Sequence, residues 1–421
     1  MNKSYETYKD SGIDWLGKIP SHWDISKLKY ETNCLDGRRV PVEKSLRNVG
    51  IYPYWGAGSI VGYIDEYIFD EELVLLGEDG APFFDKNRPV AFYVNEKIWA
   101  NNHIHVLKSG KNMIAKYMTY LLNIVDYHQF INGSILTKLT QASMDEIPFI
   151  VPSLAEQEAI AAYLDDKCGK VDALVAELEQ QMSDLADLKK SEISRVVTKG
   201  LNPNAPLKDS GIDWIGMIPE DWVALPLKRL VDEPLMYGAN ESAESNNPNF
   251  PRYIRITDIA EDGSLKADTF KSLPPEKANN YMLSKGDVLF ARSGATVGKT
   301  FLYDSNRPAC FAGYLIKAKC NQNRLSPKFL IYYTRSNEYM NWKNSVFAQA
   351  TIQNIGADKY SICTLPVPPL DEQQAIVDYL DTYCAKVDAT VSEIKAQIAD
   401  LKLYKQSLIS EAVTGKICVT D

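Results

Sequence analysis

Lys9–Trp23 reads KDSGIDWLGKIPSHW, and Lys208–Trp222 reads KDSGIDWIGMIPEDW. Eleven of the fifteen positions are identical, at an offset of 199 (208 − 9). A second pair follows. Pro152 opens PSLAEQEAIAAYLDDKCGKVDALV and Pro368 opens PPLDEQQAIVDYLDTYCAKVDATV, at an offset of 216 (368 − 152). The chain therefore runs through a short motif, a variable stretch and a helical stretch, then repeats the series. A duplicated framework with two different inserts suits a molecule that reads two different things a fixed distance apart.

The helical stretches are the clearest local reading. Ser153-Leu-Ala-Glu156 has the form of a capping box, with Ser at the N-cap and Glu at N3. Apolar residues then recur every seven positions: Leu164, Val171, Leu178 and Leu185 in the first copy, and Leu380, Val387, Ile394, Leu401 and Leu408 in the second. Val175 and Met182 lie four residues on from the first row, and Leu174 and Leu188 three on. A sustained seven-residue repeat predicts a coiled-coil seam built from these side chains. Helices of this size would be roughly 65–70 Å long. The simplest way for both stripes to be buried is for the second helix to run back along the first. The competing arrangement packs each helix on its own domain. Gly200 and Gly415 supply the stop signals.

This reading predicts an α+β protein with two α/β domains separated by a long antiparallel two-helix coiled coil, in an internal pseudo-twofold repeat. The divisions fall at 1–151, 152–200, 201–367 and 368–421. Within the variable stretches, short strands are predicted at Leu73–Leu76, Val90–Val94 and Ile104–Leu107, then at Asp287–Ala291, Lys299–Tyr303 and Tyr314–Lys317. Aromatic-rich helices are predicted over Tyr117–Phe130 and Pro327–Trp342. The two inserts share a skeleton but not a sequence.

Bulk properties narrow the class. A chain of 421 residues has room for two to four domains. No apolar run approaches the roughly 18 residues that suggest a membrane span, and the first twenty residues lack a signal-peptide core. A cytoplasmic protein without membrane contact is expected. None of the seven cysteines forms a C-x-x-C pair, and reduced, mostly buried thiols are expected. The four histidines make no zinc pattern; His103 and His105 share a strand face at most. A net charge of −9 argues against a nucleic-acid binder if taken globally. The two helical stretches carry most of that excess, so a local basic face on either insert stays available.

Two motifs suggest catalysis and fall short. Gly294-Ala-Thr-Val-Gly298-Lys299-Thr300 has three residues between its glycines where a P-loop needs four, and a strand is expected after it. Asn247-Pro-Asn-Phe250 lacks the second Pro of the amino-methyltransferase motif, and no glycine-rich cofactor loop lies upstream. The chain reads as a binder, with no catalytic residues and no metal site.

The duplicated pattern resembles the specificity subunits of type I restriction–modification enzymes over essentially the whole chain. The resemblance rests on the paired Gly-Ile-Asp-Trp…Ile-Pro…Trp motifs, the Pro-x-Leu-x-Glu-Gln-x-Ala-Ile helix starts, and Ala412-Val-Thr-Gly-Lys-Ile417. Tyr52–Gly58 with Asn101–Ile104 is similar to one type of target recognition domain, and Gly286–Gly294 with Gly298 and Lys299 to another. The resemblance implies that each domain reads one half of a bipartite, asymmetric site in double-stranded DNA. The helices would act as a ruler and dock two modification (methyltransferase) subunits, with two restriction (translocase/endonuclease) subunits joining them. S-adenosylmethionine, ATP and Mg would belong to those partners and no cofactor to this chain. An adaptor that binds proteins through its coiled coil is the alternative.

Phosphate contacts need cationic and polar donors, and base reading favours Arg on guanine and Asn or Gln on adenine. On these grounds the candidate DNA contacts are Arg38, Arg39, Arg47, Asn102, Lys138 and Gln141 in the first insert. In the second they are Arg292, Ser293, Thr296, Lys299, Gln349, Thr351 and Gln353. Arg292, Ser293 and Lys299 are expected at a hairpin tip. Each of these residues is also consistent with an ordinary solvated side chain.

Overall fold

The computed structural model describes residues 4–131, 137–260, 263–294, 296–348 and 354–420. It divides into two compact units. One comprises Met1–Gln180 with Ile394–Asp421, and the other Gln181–Glu393. Each unit contains one α/β domain and a segment of both long helices.

The same elements build both units. The repeated motif folds as a hairpin, pairing Tyr8–Asp10 with Lys18–Pro20 in the first unit and Leu207–Asp209 with Met217–Pro219 in the second. Its terminal Trp23 and Trp222 are fully buried. The next strand leads into the variable stretch and pairs with the strand that leads out: Asp24–Lys27 with Pro148–Val151, and Val223–Pro226 with Thr364–Val367. Each insert is therefore closed at its own neck before the long helix begins.

Inside each neck is a four-stranded antiparallel sheet. In the first unit its order is Thr32–Cys34, Ile104–Ser109, Leu73–Gly77, Ala91–Val94. In the second it is Met236–Tyr237, Leu315–Lys319, Asp287–Ala291, Thr300–Leu302. The central strands Leu73–Gly77 and Asp287–Ala291 are buried along their whole length, as continuous apolar runs require. A short helix covers each sheet, Ala115–Leu122 or Pro327–Tyr333. The predicted strands are thus present, with ends shifted by a residue or two. The first predicted aromatic helix stops at Leu122, because the Asn123 side chain bonds the edge strand at Val90 and Ala91. The second divides into Pro327–Tyr333 and Asn337–Ala348. Beyond the shared sheet the units differ. The first adds the four strands Ile60–Ile64, Tyr52–Trp55, Lys97–Ala100 and Phe69–Asp70. The second adds a parallel pair, Arg252–Ile254 with Ala309–Phe311.

The long helices span Leu154–Lys199 and Leu370–Val413. They are antiparallel within each unit. In the first, Lys405 donates to Asp172 at 2.6 Å and Lys402 lies 3.9 Å from Glu179. In the second, Lys189 donates to Asp388 at 2.7 Å and the Tyr379 hydroxyl to Glu192 at 2.6 Å. Leu164, Val171, Leu178, Leu380, Val387, Ile394 and Leu408 are buried, and Leu185 and Leu401 half-buried. Leu174 and Leu188 are exposed, at 43% and 55%, so the seam is the narrow stripe of a two-helix contact. Gly200 and Gly415 end the helices with φ of 73° and 72°, in the left-handed region that favours glycine.

Candidate nucleic-acid interface

Three sets of contacts fix each α/β domain to its long helix, and all recur in both units. The Trp23 indole donates to Glu156 Oε1 at 2.9 Å, and Trp222 donates to Glu372 Oε2 at 2.9 Å. Gln157, fully buried, accepts from the Ile114 N–H and donates to the Asn112 and Pro152 carbonyls. Gln373 repeats this with the Ser326 N–H and the Arg324 and Pro368 carbonyls. Asp165 receives Lys116 at 2.6 Å and the Tyr120 hydroxyl at 2.8 Å. Asp381 receives Lys328 at 2.9 Å and Tyr332 at 2.5 Å.

The two junction glutamates have different surroundings. Glu156 also accepts from His22 and closes the capping box with Ser153, whose N–H and hydroxyl both donate to it. Burial pushes its carboxyl up, but the hydrogen bonds from Trp23, His22 and Ser153 outweigh this and hold it below the usual range. At the second junction Asp221 stands in place of His22 and Pro369 in place of Ser153. There burial, with Asp221 and Asp371 nearby, raises the Glu372 carboxyl despite the Trp222 bond.

At the far end of each sheet three segments meet at one corner. In the first unit the Glu78 N–H donates to the His103 carbonyl at 3.0 Å and the Leu139 N–H to the Glu78 carbonyl at 2.7 Å, with Asp79 bridged to Lys138. In the second the Arg292 N–H donates to the Tyr314 carbonyl at 3.0 Å and the Ile355 N–H to the Arg292 carbonyl at 2.9 Å, with Ser293 bridged to Asn354. Gly80 and Gly294 then turn the chain with φ of 70° and 78°. The backbone is the same in both corners and the side chains are not.

The first corner rests on a charged network. His105, buried in the strand, places Nδ1 2.6 Å from Asp36 and Nε2 2.9 Å from the Leu139 carbonyl. Arg39 donates to Glu78 at 2.6 Å and to the Ile104 carbonyl at 2.9 Å, and lies 3.2 Å from Asp36. Lys138 lies 3.0 Å from Glu78. Burial raises both carboxyls, but His105, Arg39 and the Val106 N–H bring Asp36 below its usual range, and Arg39 and Lys138 do the same for Glu78. Asp36, Glu78 and His105 offer metal-ligand atoms within 4.8 Å of one another. Arg39 and Lys138 already balance those carboxylates.

The candidate contacts fall into several settings. Asn102 and Lys138 are exposed at the first corner, whereas Arg39 is largely buried beneath it. Arg38 is exposed, bonded to Glu71 and set over the Phe69 ring; Arg47 lies 3.9 Å from the Tyr54 ring centroid. Gln141 is exposed in the first turn of the helix Gln141–Asp145. Arg292, Ser293, Thr296 and Lys299 all lie in the connection between the antiparallel strands Asp287–Ala291 and Thr300–Leu302, as expected for a hairpin tip. A strand follows this connection where a P-loop requires a helix. Arg292 reaches Asn354 at 3.4 Å and sits over the Tyr237 ring. Gln349, Thr351 and Gln353 lie outside the described residues. Asp79, His103, Tyr314 and Asn354 were not among the candidates, since only the paired corners single them out.

Comparison with known proteins matches residues 20–182 and 219–400 to a family described as the type I restriction modification DNA specificity domain. A putative type I restriction enzyme specificity subunit of Haemophilus influenzae is 26% identical over 85% of this chain and 86% of its own. The type I restriction enzyme MjaVIII specificity subunit of Methanocaldococcus jannaschii is 23% identical over 96% and 95%. A chain from a structural study of assembly and conformational transition in the type I R-M system superposes with a TM-score of 0.68. It is 18% identical, over 94% of this chain and 98% of that one.

Proposed function

The chain belongs to the type I restriction–modification DNA specificity family, and from that premise we infer that it is the DNA sequence-specificity subunit of such an enzyme. Each α/β domain reads one half of a split site in double-stranded DNA. The observation that carries this reading is the pair of corners with one backbone and two sets of side chains, since phosphate contacts position a protein and base-edge contacts specify sequence. Different side chains on the same frame give half-sites that differ, hence an asymmetric target.

The helical scaffold docks two modification subunits, and two restriction subunits join them. Exposed Leu174, Leu403 and Tyr404 on the helices supply apolar surface for such docking. Catalysis belongs to the partners, which bind S-adenosylmethionine, ATP and Mg; this chain contributes recognition alone. Because phosphate neutralisation dominates affinity and the chain carries a net charge of −9, the partners supply much of it. The complex works in the cytoplasm. Among the described residues no helix is long and apolar enough to cross a membrane.

The test is single-molecule sequencing of adenine methylation in cells carrying this chain with its neighbouring modification subunit. A split asymmetric motif that disappears when this chain is deleted is the expected result. Active modification subunit with no such motif would overturn the reading.

A further inference from the structure

The two corners allow a residue-level assignment that rests on the DNA-specificity reading. Three positions correspond through their backbone bonds: Asp79 with Ser293, His103 with Tyr314, and Lys138 with Asn354. The offsets are 214, 211 and 216, so no single alignment shift brings the three pairs together. All six residues lie in the turns and bridges where the segments meet, at the open end of a sheet whose other end is closed by the neck.

We propose that these three positions in each unit are the base-reading positions, and that the side chains placed there decide which bases each half-site accepts. The first unit presents a carboxylate, an imidazole and an ammonium group. Asp79 and His103 hydrogen-bond each other, and Lys138 is held against Glu78 while remaining half-exposed. The second presents a hydroxyl, a phenol and an amide, with the Arg292 guanidinium touching the amide. A carboxylate accepts from cytosine N4 and an ammonium donates to guanine O6 and N7, whereas an amide pairs with adenine N6 and N7 and a guanidinium with guanine. The first half-site therefore depends on a G·C pair at the corner, and the second on an adenine read by Asn354 beside a guanine read by Arg292.

Beneath the first set, Arg39 and His105 act as positioning residues. Their donors are spent on Asp36, Glu78 and the Leu139 carbonyl, which pins the segment that carries Lys138 to the sheet. An interface held this way meets DNA with side chains already ordered, so little conformational entropy is lost on binding.

The experiment exchanges one set for the other in the full enzyme complex. Asp79→Ser, His103→Tyr and Lys138→Asn are combined, and the methylated motif is sequenced. The expected result is a changed or relaxed first half, with discrimination at one or two base pairs altered about tenfold or more, beside an unaltered second half and spacer. An unchanged motif in both halves overturns the assignment. If the triple variant yields no methylation, Asn354→Asp in the second unit is the companion test. It keeps the side chain's size and should abolish the adenine preference of the second half alone; an unchanged second half again overturns the assignment. Failure of the unaltered complex to methylate any split motif would instead overturn the functional reading on which the assignment rests.

Discussion

The Trp23 indole N–H and the Glu156 carboxylate lie 2.9 Å apart across 133 residues of sequence, and this bond joins the repeated motif to the first turn of the long helix. Trp23 has no exposed surface, so its N–H has no water to turn to. Glu156→Ala removes the acceptor and the capping box together. A buried unsatisfied donor costs about 1–3 kcal/mol and a lost cap about 1 kcal/mol. Chemical unfolding should show a loss of about 2–4 kcal/mol, and Glu156→Gln, which keeps a carbonyl acceptor, a smaller one.

The opposite shifts of the two junction glutamates predict opposite pH behaviour. Glu156 is held below its usual value of 4.5, so its contribution is present above that value and lost as the pH falls through its lower folded value. Glu372 is raised above 4.5, so its contribution is present below that value and lost as the pH rises through its folded value. Glu156→Gln should therefore lower the thermal midpoint at pH 7 and lose its effect in acid. Glu372→Gln should leave the pH 7 midpoint equal or higher, with the difference vanishing near pH 4. Melting curves from pH 7 down to about pH 3 separate the two.

Gly415 ends the second long helix in the left-handed region, and a Cβ there would run into the Pro20 ring and press on Trp23. Gly200 has the same conformation, and its Cβ would lie 2.8 Å from a Glu372 oxygen. Alanine at either position pays about 1 kcal/mol for the backbone alone. Gly415→Ala should cost more than Gly200→Ala, because a proline ring yields less than a carboxylate. Paired urea titrations check the order.

Arg39 and Lys138 both face Glu78, and they should fail differently. Arg39→Ala leaves two nearly buried carboxylates short of a partner, and breaking such a pair costs about 3–5 kcal/mol. Lys138 is half-exposed, so its loss should cost under about 1 kcal/mol. Lys138→Ala should instead weaken DNA binding by the assembled complex and alter discrimination at the first half-site. Calorimetry and binding titrations on the two variants give the comparison.

The repeat, the helix starts and the seven-residue stripe were all legible in the sequence because they recur at fixed offsets. The Lys116–Tyr120 and Lys328–Tyr332 latches were legible in principle. They stand 212 residues apart with the same four-residue spacing, and Asp165 and Asp381 share the 216 offset of the helices. They were obscured because the surrounding residues differ. The corners were not legible: what they share is carried by backbone N–H and carbonyl groups, which leave no mark on residue type. Arg39 shows the limit of reading charge alone. Its pairing with Asp36 is local, but Glu78 lies 39 residues away, and only the fold reveals that the guanidinium faces inward. Leu174 and Leu188 show the same limit for apolar residues, since spacing alone did not reveal how narrow the seam would be.

The first unit is discontinuous: it needs Ile394–Asp421, while the second is built from the unbroken run Gln181–Glu393. On the ribosome the order of completion is therefore the reverse of the order of synthesis. The first α/β domain emerges early, but the Gly415 carbonyl that accepts from Tyr8 and the Val413 carbonyl that accepts from Tyr117 arrive only after the whole second unit has been made. At elongation rates of about 5–20 residues per second, the apolar surface around Trp23 and Tyr117 waits about 15–80 seconds for its cover. That interval is when the nascent chain is open to chaperones, and a stop codon between Glu393 and Val413 would leave the first unit uncovered while the second is whole.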